Sequence, residues 1–436
     1  MLTATAIVVA NMVGTGIFTS LGFQVGPLPT GFSIMALWFV GGVCALCGAF
    51  AYAELGAALP RSGGEYNFLG RIYHPAVGFL AGFTSATVGF AAPAAAAAMA
   101  FGGYIHGVWP SLNPTAFSLG VIVLATLPLL RDLKLGSAFQ DATTLLKIAL
   151  ILAIIAAGFF VKQPQAISFL PAKGDGHLIL SAGFAVSLYF VMYAYSGWNA
   201  STYIVGELRD PARSIPVSVG LGTLFVMGLY LAVNAVFLRA APASAMDGKP
   251  EVALAAGSYL FGAGGAKIMA LFICVGLVSS VSSMMWIGPR VTETMGEDLG
   301  SLRWLGSTNR RGIPVNATLL QFAVAVILIL TAKFNEVVGF IQFSLTLCSA
   351  LAVFGVYVLR WRQPNLPRPY KAWGYPVTPA IFLYISGWMM WFMLKDPDSR
   401  KPSLLGLGMI LLGLLIYFLS PKNTANPSLI NAPNET

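Results

Sequence analysis

The chain has 436 residues, of which 57% are hydrophobic and only 9% carry a charge, and its mean hydropathy is +0.77. This composition excludes a water-soluble domain of this length and predicts an integral membrane protein. The net charge of +9 comes from basic residues in the connections between apolar segments, so it indicates membrane topology and not a nucleic-acid surface.

Apolar stretches long enough to cross a bilayer, about 20 residues each, recur along the chain. We predict one all-α transmembrane domain over residues 1–420 and a cytoplasmic tail over 421–436. Fifteen of the 25 Lys and Arg residues fall in segments assigned to the cytoplasm, which predicts both termini there in a multi-pass protein of the cell membrane. The twelve predicted spans are residues 3–25, 31–59, 75–108, 115–131, 138–161, 178–206, 215–239, 264–289, 315–332, 336–360, 376–394 and 403–420.

The first span contains the stretch N-M-V-G-T-G-I-F at residues 11–18. Glycine and threonine are poor helix formers, so this stretch predicts a break. Within a bilayer, freed backbone groups need partners, and a break is tolerated only in protein or beside a polar cavity. This stretch alone supports two interpretations equally. Gly14, Thr15 and Gly16 open the helix to hold a solute, or they allow close helix packing.

The sixth span contains a second interruption, Y-A-Y-S-G-W-N at residues 193–199. It combines small residues, aromatic rings and an amide at mid-membrane depth. Interrupted helices at matching positions of two halves are the best sequence indication of a transporter binding site. The pairing of the two stretches therefore favours solute binding over packing.

Two further features lie in apolar segments. Lys147 lies about 13 to 15 Å into the fifth span at 1.5 Å per residue, which makes it a functional hypothesis. The alternative is that its side chain reaches back to the membrane surface. In the eighth span Ser279 and Ser283 share one helical face, where they either contribute to a site or bond to their own helix.

Residues for catalysis or metal binding are sparse. The four cysteines all fall in apolar segments, where we interpret them as packing residues, and the three histidines are scattered. We therefore predict no metal, no cofactor and no catalytic site. An integral membrane enzyme is the alternative from a different functional class.

Several separate stretches, in the right order, resemble the amino acid–polyamine–organocation permeases. They are N-M-V-G-T-G-I-F, A-Y-A-E-L with P-R-S-G-G-E-Y, A-Y-S-G-W-N with E-L-R-D-P-A-R-S-I-P, and G-P-R after the eighth span. The resemblance covers nearly the whole chain and looks closest to the L-type exchangers and their bacterial relatives. It implies the fold of bacterial leucine transporters, with two inverted repeats of five helices, at 3–161 and 178–360, and two further helices at 376–420. The charged leader usual in this family is expected to be absent or short.

The two interruptions together suggest a binding site for a zwitterion. If both spans unwind, amide groups near Thr15 favour a carboxylate, and carbonyl groups near Met12 and Ala194 favour an ammonium group. No acidic residue lies at the midplane, so we expect neutral amino acids, with cationic amino acids or polyamines as the alternative. The expected substrate-binding residues are Met12, Val13, Gly14, Thr15, Gly16, Ile17, Tyr193, Ala194, Ser196, Gly197, Trp198 and Asn199.

The resemblance also implies roles for individual residues. Tyr193 matches an aromatic gate that closes over the substrate, although it could instead be a packed aromatic. Lys147 matches a lysine that replaces the sodium ion of sodium-coupled members, with Ser279 and Ser283 as its expected partners. The predicted function is sodium-independent secondary transport of amino acids by alternating access. Proton symport and exchange, the direction of flux and the need for a partner subunit stay open at this level.

Overall fold

The computed structural model describes residues 2–61, 63–130, 137–202, 210–298, 303–309 and 312–419. Throughout these residues the regular structure is helical, without a β-strand, as predicted; the predicted tail lies outside them. The α-helices are α1 (Leu2–Met12), α2 (Gly16–Thr19), α3 (Gly31–Ala58), α4 (Glu65–Ile72), α5 (Pro75–Thr84), α6 (Ala91–Val108), α7 (Pro114–Leu130), α8 (Ser137–Gly158), α9 (Asp175–Ile179), α10 (Ala182–Tyr195), α11 (Pro211–Ala240), α12 (Ala243–Met246), α13 (Val252–Asp298), α14 (Val315–Thr331), α15 (Phe334–Arg362), α16 (Val377–Lys395) and α17 (Pro397–Leu419).

Many of these helices have the length and composition of membrane spans. In the described part of the chain, eight segments are long and apolar enough to cross a bilayer: Ala4–Phe23, Gly31–Ala58, Pro75–Val108, Arg213–Ala240, Val252–Glu293, Phe334–Arg362, Val377–Lys395 and Pro397–Leu419. Shorter apolar helices lie between them at Pro114–Leu130, Ala142–Gly158, Ala182–Tyr195 and Val315–Thr331. The architecture is that of a multi-pass membrane protein.

Two of the predicted spans are interrupted where the sequence indicated. The first stops at Met12, bends through residues 13–15 and resumes as α2 at Gly16. The sixth stops at Tyr195 and continues as a turn in which Gly197 has φ +99°. Glycine adopts this left-handed conformation without the steric cost that a side chain would add. Local residue chemistry therefore explains both breaks.

The third span has a different irregularity. Between α5 and α6 the chain forms a π-helical turn, Ser85–Gly89, a rare conformation that is frequent at functional sites. Beyond it, the alanines at 94–98 are all buried, and those at 94, 95, 97 and 98 belong to one cluster with Ile122 of α7 and Met285 of α13. Small side chains let helices approach closely in a membrane protein, so this run serves packing.

The packing of α1, α3, α10 and α11 brings the two interruptions together. α1 lies along α11, where a Cβ at Gly222 would come within 2.8 Å of Val8. α3 packs against both α10 and α11, and its Gly41 faces Val191 of α10. The end of α1 therefore meets the end of α10 inside the bundle.

Candidate functional site

The break between α1 and α2 lies directly against the end of α10. The hydroxyl oxygens of Thr15 and Tyr193 are 2.7 Å apart, and both side chains are buried. Gly16 faces Ala194 so closely that a Cβ on Gly16 would overlap the Ala194 backbone. Because α2 begins at Gly16, its first amide groups have no carbonyl four residues earlier in the helix to bond. The site thus combines a helix start with a buried pair of hydroxyl groups.

The turn that follows α10 lies against the end of α1. A Cβ on Gly197 would come 2.9 Å from the carbonyl carbon and oxygen of Asn11, so only glycine fits this approach. Asn11 is exposed, whereas Gly14, Ser196 and Gly197 are partly buried. These positions are the accessible part of the two breaks. A solute would meet mostly backbone here.

The other predicted residues of the first break contribute backbone and not side chains. The side chains of Met12, Val13 and Ile17 are almost fully buried in the hydrophobic core. The amide of Gly14 donates to the Met12 carbonyl at 2.8 Å, which closes a tight bend at the end of α1. Any contact of Met12, Val13 or Ile17 with a solute would therefore use a peptide group.

Tyr230 of α11 connects the two breaks, a contact that the sequence did not indicate. Its hydroxyl donates to the Met12 carbonyl at 2.6 Å and also lies 3.2 Å from the Ala194 carbonyl oxygen. The side chain is fully buried and packs edge-on against Trp38. A buried carbonyl without a partner is costly, so this hydroxyl stabilises the end of α1 and the end of α10 at once.

The end of the bundle that contains α2 is sealed by aromatic residues. Tyr104 of α6 donates its hydroxyl to the Phe18 carbonyl at 2.6 Å. Phe190 of α10 stacks on Phe23 with ring centroids 4.7 Å apart, and Phe23 stacks in turn on Phe334 at 5.9 Å. These contacts join α2 and the 3-10 turn Ser20–Phe23 that follows it to α6, α10 and α15, and they close this end of the bundle.

Trp198 and Asn199 attach the turn after α10 to α3 and α4. The Trp198 ring packs edge-on against Tyr52 with centroids 4.7 Å apart. The Tyr52 hydroxyl and the Asn199 amide nitrogen both donate to the same Glu65 carboxylate oxygen, at 2.7 and 3.0 Å. Glu65 is buried. The carboxylate therefore fixes the turn to the scaffold through one atom.

Lys147 is buried between α8 and α13. Its exposed fraction is 7%, and its side-chain stem passes so close to Gly276 that a Cβ there would lie 2.9 Å from Lys147 Cγ. The expected proximity to α13 is present.

The two serines predicted on α13 lie about one and two helical turns after Gly276, the residue that Lys147 contacts. The Ser279 hydroxyl and the Thr143 hydroxyl of α8 are 2.6 Å apart, one turn of helix before Lys147. The Ser283 hydroxyl donates to the Ser279 carbonyl of its own helix at 2.9 Å. Ser279 thus connects two helices, whereas Ser283 makes the local bond typical of serine in helices.

A charged cluster holds the opposite end of the bundle. Glu54 of α3 is fully buried and accepts two hydrogen bonds from Arg360 of α15, at 2.9 and 2.6 Å. Arg368 approaches the same carboxylate at 3.6 Å, and the Ala372 amide donates to it at 2.7 Å. The Arg360 guanidinium also stacks 3.6 Å from the Tyr375 ring centroid. Glu54 therefore joins α3, α15 and the connection to α16.

The described residues contain no group of three or more His, Cys, Asp or Glu side chains that could hold a metal ion. The four cysteines are buried and unpaired with one another. Sequence reasoning missed Tyr104 and Tyr230, for which no local pattern exists, and Glu65, whose motif was noticed without a role.

Comparison with known proteins places the chain among transporters. The family model described as "Amino acid permease" matches residues 1–418. The Asc-type amino acid transporter 1 of Mus musculus is 25% identical over 458 aligned positions, covering 100% of this chain and 83% of the relative. The b(0,+)-type amino acid transporter 1 of Homo sapiens is 26% identical, with 95% and 86% covered. The large neutral amino acids transporter small subunit 2 of Mus musculus is also 26% identical, with 99% and 82% covered.

Proposed function

The chain belongs to the amino acid permease family, and from this premise we propose that it is a sodium-independent secondary transporter of neutral amino acids. The single observation that carries the proposal is the direct contact of the two helix breaks through Thr15 and Tyr193, 2.7 Å apart. Two breaks that meet inside a membrane protein offer peptide groups of both polarities to a solute. This arrangement supports transport by alternating access across the cell membrane, and the proposal includes no catalytic step.

The substrate carboxylate would bind at the amide groups of Thr15, Gly16 and Ile17, where α2 begins. The substrate ammonium would bind at carbonyl groups near Val13 and Ala194. The Met12 carbonyl is a weaker candidate, because it already accepts bonds from Gly14 and Tyr230. A carbonyl oxygen has two lone pairs, and both lone pairs of the Met12 oxygen are already used by these two donors. The wall of the site on the side of the turn after α10 would be formed by Ser196, Gly197, Trp198 and Asn199.

Neutral side chains fit the charges around the breaks. The nearest buried carboxylate to the turn, Glu65, accepts bonds from Tyr52 and Asn199, and Glu54 is paired with Arg360. A cationic side chain would have to compete with these partners for a carboxylate. The printed names of the relatives include one for large neutral amino acids. Cationic amino acids and polyamines are the second substrate class to test.

Lys147 would act in place of a sodium ion by joining α8 to α13. Its burial beside Gly276 and the nearby Thr143–Ser279 bond support this role. The ammonium could also exchange a proton with the cytoplasm during the cycle. Lys147→Ala is therefore expected to reduce uptake at least about tenfold, the effect of 1.4 kcal/mol, and to change the dependence of uptake on pH. Normal uptake with an unchanged pH profile would contradict this role.

For the architecture, we propose twelve spans with both termini in the cytoplasm. The four shorter apolar helices would complete the set, and the two breaks would occupy equivalent places in two inverted repeats, at about 3–161 and 178–360. The break positions in the first helix of each repeat support this arrangement. Helices α16 and α17 would follow the second repeat, and Tyr193 would act as the gate beside Thr15.

The test is uptake of labelled leucine, lysine and putrescine into liposomes that contain the purified protein. The measurement is made with and without sodium, a pH gradient and internal amino acid. Leucine uptake that is independent of sodium is the expected result. Gly16→Val, which would push α2 away from Ala194, should abolish this uptake, whereas Gly120→Val, in open space on α7, should not. A folded protein that binds and moves no amino acid would overturn the proposal.

A further inference from the structure

A trough on the membrane-facing surface lies between α14, α15 and α17. Its volume is about 640 Å³, and most of its wall is apolar, including Leu328, Phe340 and Leu412. α15 and α17 run parallel on one side of it, because Gly339 packs against Pro402 and Ser344 packs against Gly406. Small residues at these contacts let the two helices meet at the floor while their larger side chains form the walls.

One end of the trough is basic. Lys401 lies on its rim and also lines an adjoining hollow of about 350 Å³, together with Arg400 and Pro397. Leu404 and Leu405 belong to both spaces, so the trough and the hollow are continuous. Arg400 and Lys401 are exposed. The apolar trough therefore ends at two cations, at the start of α17.

The acidic groups near this end have partners of their own. Glu336, which lines the trough, accepts the backbone amide of Lys333 at 2.8 Å. Asp396 accepts the amide and hydroxyl of Ser399, at 2.9 and 2.7 Å. Asp398 lies on the first turn of α17 and is exposed. Within the described residues no ion pair joins any of these carboxylates to Arg400 or Lys401, and both cations are exposed to an external anion.

We propose that this surface is a binding site for an anionic phospholipid. One acyl chain lies in the apolar trough, and the phosphate contacts Arg400 and Lys401. Arg400 and Lys401 attract the phosphate of an anionic head group, and an acyl chain gains van der Waals contacts with the apolar wall of the trough. A second copy of this chain matches less well, since it has 16 acidic residues against 25 basic ones.

The bound acyl chain would also contact the π-helical turn between α5 and α6. Thr87 forms the inner end of the trough and belongs to the π-helical turn Ser85–Gly89. Its hydroxyl donates to the Phe83 carbonyl at 2.7 Å. Lipid binding is therefore expected to stabilise this turn as well as the α15–α17 pair.

The test uses the delipidated, purified full-length protein in detergent. Native mass spectrometry and the apparent melting temperature are followed while phosphatidylglycerol, phosphatidylcholine or inorganic phosphate is added. Phosphatidylglycerol should bind more tightly than phosphatidylcholine by about fivefold for each basic residue engaged, the effect of roughly 1 kcal/mol per charge. Inorganic phosphate should neither bind nor stabilise, because it lacks the acyl chain.

Two variants separate the parts of the site. Replacing both Arg400 and Lys401 by glutamine should remove the preference for phosphatidylglycerol. Gly408→Leu should weaken both lipids, because a side chain there projects into open space within the trough without a clash. The matched controls are Lys267→Gln, at an exposed site on α13, and Gly387→Leu, at an exposed open site on α16.

Three outcomes would overturn the proposal. The first is equal binding of the two lipids to the unaltered protein. The second is a Gly408→Leu protein that folds and binds phosphatidylglycerol normally. The third is a dimer that protects α17 and excludes lipid from the trough. The assay measures lipid binding and not uptake, so its failure is separate from a failure of the transport proposal.

Discussion

The two ends of the helix bundle are held by different chemistry. At the end that contains α2, the stack of Phe23, Phe190 and Phe334 and the Tyr104 hydroxyl join the helices without a charge. At the opposite end, the buried Glu54 carboxylate joins α3 and α15 through arginine. Ring pairs and neutral hydrogen bonds are each worth about 0.5–1.5 kcal/mol and can break singly.

The charged end is harder to open. Separating a buried ion pair leaves a charge without a partner, at a cost of about 3–5 kcal/mol. We therefore expect the aromatic end to open and close during transport while the Glu54 cluster remains formed. The difference suggests that the chain uses weak, uncharged contacts where movement is needed. It uses an ion pair where the connection between α15 and α16 must stay in place.

The largest effect is expected from Glu54→Gln. This change leaves Arg360 and Arg368 without a carboxylate, and we expect a loss of about 3 kcal/mol in the free energy of unfolding. The apparent melting temperature in detergent and the yield of monodisperse protein should both fall. Lys371→Gln, in the same connection, is the control. An unchanged melting temperature for Glu54→Gln would show that the cluster does not hold this end.

A smaller effect is expected from Tyr104→Phe at the aromatic end. The change leaves the Phe18 carbonyl without its donor and the Ala253 amide without its acceptor, at about 1–3 kcal/mol. The ring itself still fills its site. Reactivity of a cysteine placed at Ser20 toward a water-soluble thiol reagent should rise, since the seal opens more often. Tyr384→Phe, 74% exposed in the unaltered protein, should leave both reactivity and stability unchanged.

The smallest effect is expected from Glu251→Gln, just before α13 at the aromatic end. Burial raises the pKa of the Glu251 carboxyl, an effect that nearby Lys249 and His106 partly offset. The folded chain therefore holds this proton more tightly than the unfolded chain does. Its contribution to stability is full below the unfolded pKa and is lost as pH rises through the folded pKa.

Glutamine keeps the neutral form at every pH, so Glu251→Gln should lose less stability than the unaltered protein on going from mildly acidic to neutral pH. The measurement is the apparent melting temperature as a function of pH for both proteins. Glu336→Gln, in the first turn of α15, is the comparison variant. Parallel melting curves for the two proteins across this range would contradict the expected sign.

The helical class and the two interruptions could be predicted from the sequence because both depend on local chemistry. Long apolar stretches specify spans, and Gly14, Thr15, Gly16 and Gly197 disfavour regular winding at their own positions. The meeting of the breaks also followed from the idea of two similar halves. The roles of Lys147, Ser279 and Ser283 in transport stay predictions.

The hydrogen-bond partners of the breaks could not be predicted. Tyr230 is separated from Met12 by most of the first half of the chain, and nothing near either residue indicates their 2.6 Å contact. Tyr104 and Glu65 are similar, since their partners are chosen by the approach of separate helices. A tyrosine in an apolar span is chemically ordinary until its hydroxyl meets a particular carbonyl.

The π-helical turn Ser85–Gly89 changes the direction in which the two halves of the third span face their neighbours. A residue added to a helix rotates everything beyond it by about 100°, so the two halves of this span are offset in phase. The offset directs four of the five alanines at 94–98 toward α7 and α13, while Phe79 and Phe83 face Met295 and α17. A one-residue deletion here would restore uniform winding and turn α6 by about 100° relative to α5, so that these methyl groups would no longer face α7 and α13.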